Sequence, residues 1–103
     1  MKIKKGVILA GLQIEMRPVL KAANQIWQLH QDELVITAGL EGEHSAGSLH
    51  YYGYALDLRT RNFSKSVQKQ IVVRLKERLG PDYDVILHST HMHVEYDKAK
   101  EVK

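Results

Sequence analysis

Five of the six histidines fall between positions 44 and 93, and two of them alternate with Met92 in "THMHVEY", residues 90–96. On a strand, residues two apart share a face. His91, His93 and Glu95 therefore point to one side, and Met92, Val94 and Tyr96 to the other, toward a core. An H-x-H pair of this kind supplies two ligands to one ion, or one ligand with a free imidazole beside it. Earlier, in "SLHYYGYALDLRT" (residues 48–60), His50 and Asp57 stand seven apart with Gly53 and Ala55 between them. Those small residues leave room for a short loop on which both side chains converge. Two imidazoles and one carboxylate are the ligand set of a catalytic zinc whose fourth position is open to water. An ion so held lowers the pKa of bound water toward ~7 and polarises a carbonyl. A neighbouring free imidazole then acts as base or steadies an oxyanion.

Taken singly, each residue has a plainer role. His50 caps a turn, Asp57 pairs with Arg59 or Arg61, and His91 with Glu95 makes a solvated strand face. What favours a metal site is that residue types, spacings and strand parity agree on one place.

The elements that must position these residues are readable from periodicity. Residues 16–31, "MRPVLKAANQIWQLHQ", carry apolar residues at helical spacing with Pro18 in the first turn, and place Ile26 and Trp27 toward the core. The β-branched run "ELVITAG" (33–39) predicts a strand ended by Gly39. Residues 40–53 are a Gly- and Ser-containing loop, and "YALDLRT" (54–60) alternates as a strand. "NFSKSVQKQIVVRLKERLGP" (62–81) is the clearest helix, with Val67, Ile71, Leu75 and Leu79 every fourth residue, Ser64 or Ser66 as cap and Gly80-Pro81 as stop. "DYDVILHST" and "HMHVEYD" (82–97) predict two more strands, a candidate hairpin. The order helix, strand, loop, strand, helix, strand, strand predicts an α+β domain with a small, largely antiparallel sheet. Residues 1–5 and 98–103 are expected as flexible ends. His30 sits on the first helix as a structural or surface residue, and His88, three before His91, is a candidate neighbour of the site.

Composition narrows the classes. A chain of 103 residues holds one modest core, and 44% hydrophobic with 26% charged residues is ordinary for a globular domain. With no cysteine, any metal must be held by imidazole and carboxylate. A net charge of +3 fits a nucleic acid or an anionic wall polymer, but much of the excess lies in lysines near the two ends, and no nucleic-acid motif is present. The start "MKIKKGVILAGLQ" lacks a cleavage site of the A-x-A type, so it reads as mature protein made in the cytoplasm and delivered by another component if it acts on the wall. No stretch is apolar enough to span a membrane. A monomer with no nucleic-acid or membrane partner is expected.

The pattern Ser48-x-His50-x-x-Gly53-x-Ala55-x-Asp57, with His91-x-His93 far downstream, resembles the M15 peptidase family. These are zinc D-Ala-D-Ala carboxypeptidases and phage cell-wall endopeptidases that share a fold with lysostaphin-type enzymes and the hedgehog signalling domain. "EHSAGSLHYYGYALDLRT" is most like the hedgehog and phage versions, and the resemblance spans roughly residues 6–97. It implies a hedgehog/DD-peptidase-like fold, zinc as cofactor, and a peptidoglycan peptide as substrate. By position it implies His50, Asp57 and His93 as zinc ligands and His91 as the catalytic residue. Ser48 and Gly53 match positions that shape the ligand loop. Ser48, and His44 where hedgehog-like relatives also carry a histidine, are the expected substrate contacts. The sequence departs from the pattern at Thr90, where many members place a glutamate base three residues before the last zinc histidine. The base is then His91, matched by the H-x-H branch, or Glu95 on the same strand face. The missing glutamate also leaves open a metal-holding module of the same fold without turnover. A site of two histidines and an aspartate accepts other divalent ions as well.

Overall fold

The computed structural model describes residues 1–41, 48–50 and 52–97. His44 and the segment 98–103, singled out above, lie outside the described residues. The chain forms β1 (Lys2–Ile3), a 3-10 turn (Ile14–Met16), α1 (Arg17–Leu29), β2 (Val35–Ala38), β3 (Ala55–Arg59), α2 (Lys65–Leu79), β4 (Tyr83–Leu87) and β5 (His91–Tyr96). Five strands make one sheet in the order β1-β2-β3-β5-β4. Three pairings are antiparallel, and β1 joins β2 in parallel, so the sheet is mixed.

β1 is the element the sequence reading left out. Both its residues are exposed, so no hydrophobic alternation marks it. It is held by backbone bonds from Lys2 N–H to Leu34 O (2.7 Å) and from Lys4 N–H to Ile36 O (3.0 Å). Pro18 opens α1 as expected, and the Ser64 hydroxyl caps α2 by accepting the Val67 N–H at 3.2 Å. Gly80 ends α2 with φ of 84°, a left-handed backbone suited to glycine.

Parity decides which sheet face is covered. Leu56 and Leu58 of β3 and Met92 and Val94 of β5 are fully buried, as are Val19, Ile26 and Trp27 of α1 and Ile71 and Leu75 of α2. The helices therefore cover the even-numbered face of β3 and β5, and the residues between, Asp57, His91, His93 and Glu95, belong to the opposite face. Gln68 is a buried polar residue that the apolar repeat does not reveal. Its amide donates to Thr60 O (2.9 Å) and Phe63 O (3.0 Å), tying the start of α2 to the end of β3. Among the described residues no helix is long and apolar enough to cross a membrane.

Candidate metal centre

Asp57 and His93 are direct cross-strand partners in the β3–β5 ladder. Cβ atoms of such pairs stand about 4.5–5.5 Å apart, which brings the carboxylate to the imidazole without strain. His50 arrives from the turn between β2 and β3. That turn is held at both ends: the Ser48 hydroxyl accepts the His50 N–H at 3.3 Å, and Tyr54 N–H reaches Leu49 O at 2.9 Å. Gly53 has φ of 79° and packs so closely that a Cβ there would collide with the Gly11 carbonyl oxygen.

The three side chains converge. His50 Nε2 lies 3.1 Å from His93 Nδ1 and 3.3 Å from Asp57 Oδ1, and His93 Nδ1 lies 3.0 Å from the same oxygen. Hydrogen positions follow from the outer partners. His50 Nδ1 is 2.9 Å from the Gly39 carbonyl, which can only accept, so the N–H is at Nδ1 and the lone pair at Nε2. His93 Nε2 is 2.7 Å from Glu95 Oε1, and the carboxylate takes that N–H, leaving the Nδ1 lone pair facing inward. Three acceptor atoms thus face one another with no hydrogen between them. Only a cation resolves that, whether a proton on one ring or a metal ion. A tetrahedral ion with ligands at about 2.0–2.1 Å separates its ligand atoms by about 3.3 Å, close to the three spacings found. His50, Asp57 and His93 therefore lie close enough to hold a metal ion.

The electrostatics follow from the same contacts. Burial would raise the Asp57 pKa, but once a ring of the triad carries a proton, its hydrogen bond from His50 or His93 and the nearby charges of His50 and His91 outweigh burial and hold the carboxyl well below its usual range. The hydrogen bond to Asp57 pushes His93 up, against burial, with Glu95 adding to the rise.

His91 stands beside the triad, outside it. Its Nε2 is 3.8 Å from Asp57 Oδ2, its Nδ1 is 3.3 Å from the Thr90 hydroxyl, and its side chain is 33% exposed. Together with Asp57 it lines a cleft of about 270 Å³. His88 stacks on the His91 ring at 4.8 Å, on the exposed side. His30 caps the end of α1, with its ring edge-on to Phe63 at 5.8 Å, and is not among the residues that converge here.

Two supports were not foreseen from the sequence. The Gly39 carbonyl fixes the His50 tautomer, and it follows a bulge in β2, where Ile36 pairs with Leu58 but Ala38 pairs with Asp57. One Glu41 carboxylate oxygen accepts both the Ile8 N–H (2.8 Å) and the Gly39 N–H (2.9 Å), clamping the segment before α1 onto this turn. Backbone acceptors and bulges leave no side-chain pattern. The only sequence signal was Gly39 itself, where a Cβ would strike the Ile8 carbonyl oxygen.

A scan against protein-family models returns no match to this chain, and a search of curated proteins returns none either.

Proposed function

We propose that the protein is a zinc-dependent peptidase that hydrolyses a peptide bond in bacterial peptidoglycan, either a D-Ala-D-Ala carboxypeptidase or an endopeptidase of the L-Ala-D-Glu type. The observation that carries the reading is the convergence of three inward-facing acceptors, on His50, Asp57 and His93, beside a free imidazole in an open cleft. The resemblance to M15 peptidases supports the same assignment. His50, Asp57 and His93 would hold the ion. Bound zinc supplies a Lewis acid for the scissile carbonyl and a water of lowered pKa.

The remaining work falls to the chain's own groups. His91 Nε2 borders the cleft, where it can take a proton from the attacking water and return it to the leaving amine. Thr90 beside it can accept or donate at Nδ1 and so fix the ring orientation. Glu95 is occupied with His93, which leaves His91 as the base.

Thr90 in place of a glutamate also favours a second reading, a zinc-holding module of the same fold without turnover. One experiment separates the two. Peptidoglycan fragments are incubated with zinc-loaded protein and with its His91→Ala variant, and analysed by mass spectrometry. A new free amine at one defined linkage, lost in the variant, is the expected result. Intact peptide from several wall chemotypes, with zinc demonstrably bound, refutes the peptidase and leaves the module.

A further inference from the structure

A separate cavity of about 310 Å³ lies where β3 begins and β5 ends, lined by Glu15, Leu49, Tyr54, Tyr96 and Asp97. It shares no lining residue with the cleft of Asp57 and His91. Tyr96 has the strand parity of Met92 and Val94, so its ring belongs to the helix-covered face and packs against the core. Every lining residue is half-buried, and none is a lysine or arginine. The walls are fixed before any ligand arrives. The Tyr83 hydroxyl donates to the Glu15 carbonyl at 2.7 Å, and Tyr54 N–H donates to the Leu49 carbonyl at 2.9 Å. Tyr96 N–H reaches the Tyr54 carbonyl and Asp97 N–H the Asp82 carbonyl, both at 2.9 Å. Each lining residue is thereby anchored through its main chain, and a pre-formed cavity binds without the cost of ordering a mobile one.

Two properties select the occupant, and the first is charge. Glu15 and Asp97 line a cavity with no cation in its walls, and among the described residues the Glu15 carboxylate makes no ion pair and no hydrogen bond. The neighbouring Tyr83 hydroxyl is pushed up in pKa by burial, then by Tyr96, Glu15 and Asp82, so negative charge gathers at this end of a chain whose net charge is +3. The second property is the aromatic wall. The Tyr54 and Tyr96 rings stand 5.8 Å apart, tilted by 33°, with Leu49 lining the same space. Ring faces attract a cation within about 6 Å of the centroid, and rings with a leucine pack against methylene groups. An anion is repelled here, and a bare metal ion gains nothing from the leucine. A primary ammonium on an alkyl chain uses every wall: its N–H groups donate to the carboxylates, its charge meets the rings, and its methylenes lie on Leu49. A quaternary ammonium has no N–H for the carboxylates. The volume sits at the low end for ligand pockets, about 300–1,000 Å³, and suits one side chain.

We propose that the cavity between Tyr54, Tyr96, Glu15 and Asp97 binds a primary alkylammonium group, of the kind a lysine side chain carries, on a peptide that docks beside the start of β3. The inference stands apart from the peptidase reading, since no residue of the triad lines the cavity.

Amide-resolved NMR titration of the whole chain at about pH 7, where an alkylammonium is charged, tests it. The ligands are Nα-acetyl-lysine methylamide, the norleucine methylamide that lacks the ammonium, and the trimethylated lysine analogue. The lysine ligand should bind at least about tenfold more tightly than norleucine, the ratio that one charged hydrogen bond supplies. It should also bind more tightly than the trimethyl form, with shifts centred on the lining residues. Glu15→Gln should lose most of the preference for lysine, and Glu15→Gln with Asp97→Asn all of it. An amide spectrum unchanged elsewhere and an unaltered zinc affinity show that the fold is intact, and should the double variant not fold, the single variant decides. Equal binding of lysine and norleucine, tighter binding of the trimethyl form, shifts centred elsewhere, no binding, or a preference that survives substitution overturns the site.

Discussion

Glu95 is not among the residues that line the cleft of Asp57 and His91, yet it should control how tightly the site holds an ion. Its carboxylate accepts the His93 Nε2–H at 2.7 Å, with both side chains under 20% exposed. A hydrogen bond to a charged acceptor in such a setting contributes about 1.5–3 kcal/mol. At about 1.4 kcal/mol per factor of ten, that is roughly 10- to 100-fold in affinity, the range typical of partners that orient metal-binding histidines. A second effect has the same sign. Without Glu95 nothing fixes the N–H at Nε2, and the His93 ring is free to place it at Nδ1, 3.0 Å from Asp57 Oδ1, where it blocks the ligand lone pair. Glu95→Ala should therefore weaken zinc binding about 10- to 100-fold, and Glu95→Gln, whose carbonyl still accepts, by less. Competition titration against a chromophoric chelator measures both, with circular dichroism to confirm folding. Zinc affinity of Glu95→Ala within about twofold of the parent would refute the inward-facing lone-pair argument.

Two further outcomes follow from the same geometry. Gly53→Ala must place a side chain at φ of 79° against the Gly11 carbonyl, so it should lose at least 1–2 kcal/mol in urea unfolding and weaken metal binding by displacing His50. A stability change below about 0.5 kcal/mol would show that the turn relaxes freely. In the metal-free protein the raised His93 pKa contributes stability fully present below pH 6.5 and lost as pH rises through its elevated value. Asp57 acts oppositely: its contribution is present above pH 3.8 and lost on acidification toward its depressed value. Urea melts with chelator should show higher stability near pH 5 than pH 9. Zinc uptake near pH 6.5 should release more than half a proton, read from calorimetry in buffers of different ionisation enthalpy, and proton-free uptake would contradict the assignment.

The site was legible where side chains carry the information. Strand parity put His91, His93 and Glu95 on one face, and Gly53 and Ala55 marked a tight approach of His50 to Asp57, but the choice of His93 over His91 as a ligand came from the resemblance and not from the spacing. The helices were readable from apolar spacing, with ends within a few residues of Arg17–Leu29 and Lys65–Leu79. What escaped were interactions made by the backbone. β1 consists of two exposed residues held by main-chain bonds, and the Gly39 carbonyl and the β2 bulge have no residue type of their own. The mixed character of the sheet escaped for the same reason, since parallel pairing of β1 rests on register and not on pattern. The Glu41 clamp escaped because both its partners are backbone amides, one of them in Ile8, 33 positions away.

The strand order has a consequence for how the protein comes into being. β5 follows β4 in the chain but lies between β3 and β4 in the sheet, and it brings His93. While the chain grows on the ribosome, β3 and β4 have no partner on their facing edges until residues 91–96 emerge. During that interval two of the three candidate ligands, His50 and Asp57, exist without the third. Closing the sheet and completing the candidate metal centre are one event, since His93 lies 36 positions beyond Asp57 in the chain. Such distant pairing is slow relative to helix formation. Incomplete chains are thereby denied a finished centre, at the cost of leaving two open strand edges prone to pairing with other molecules.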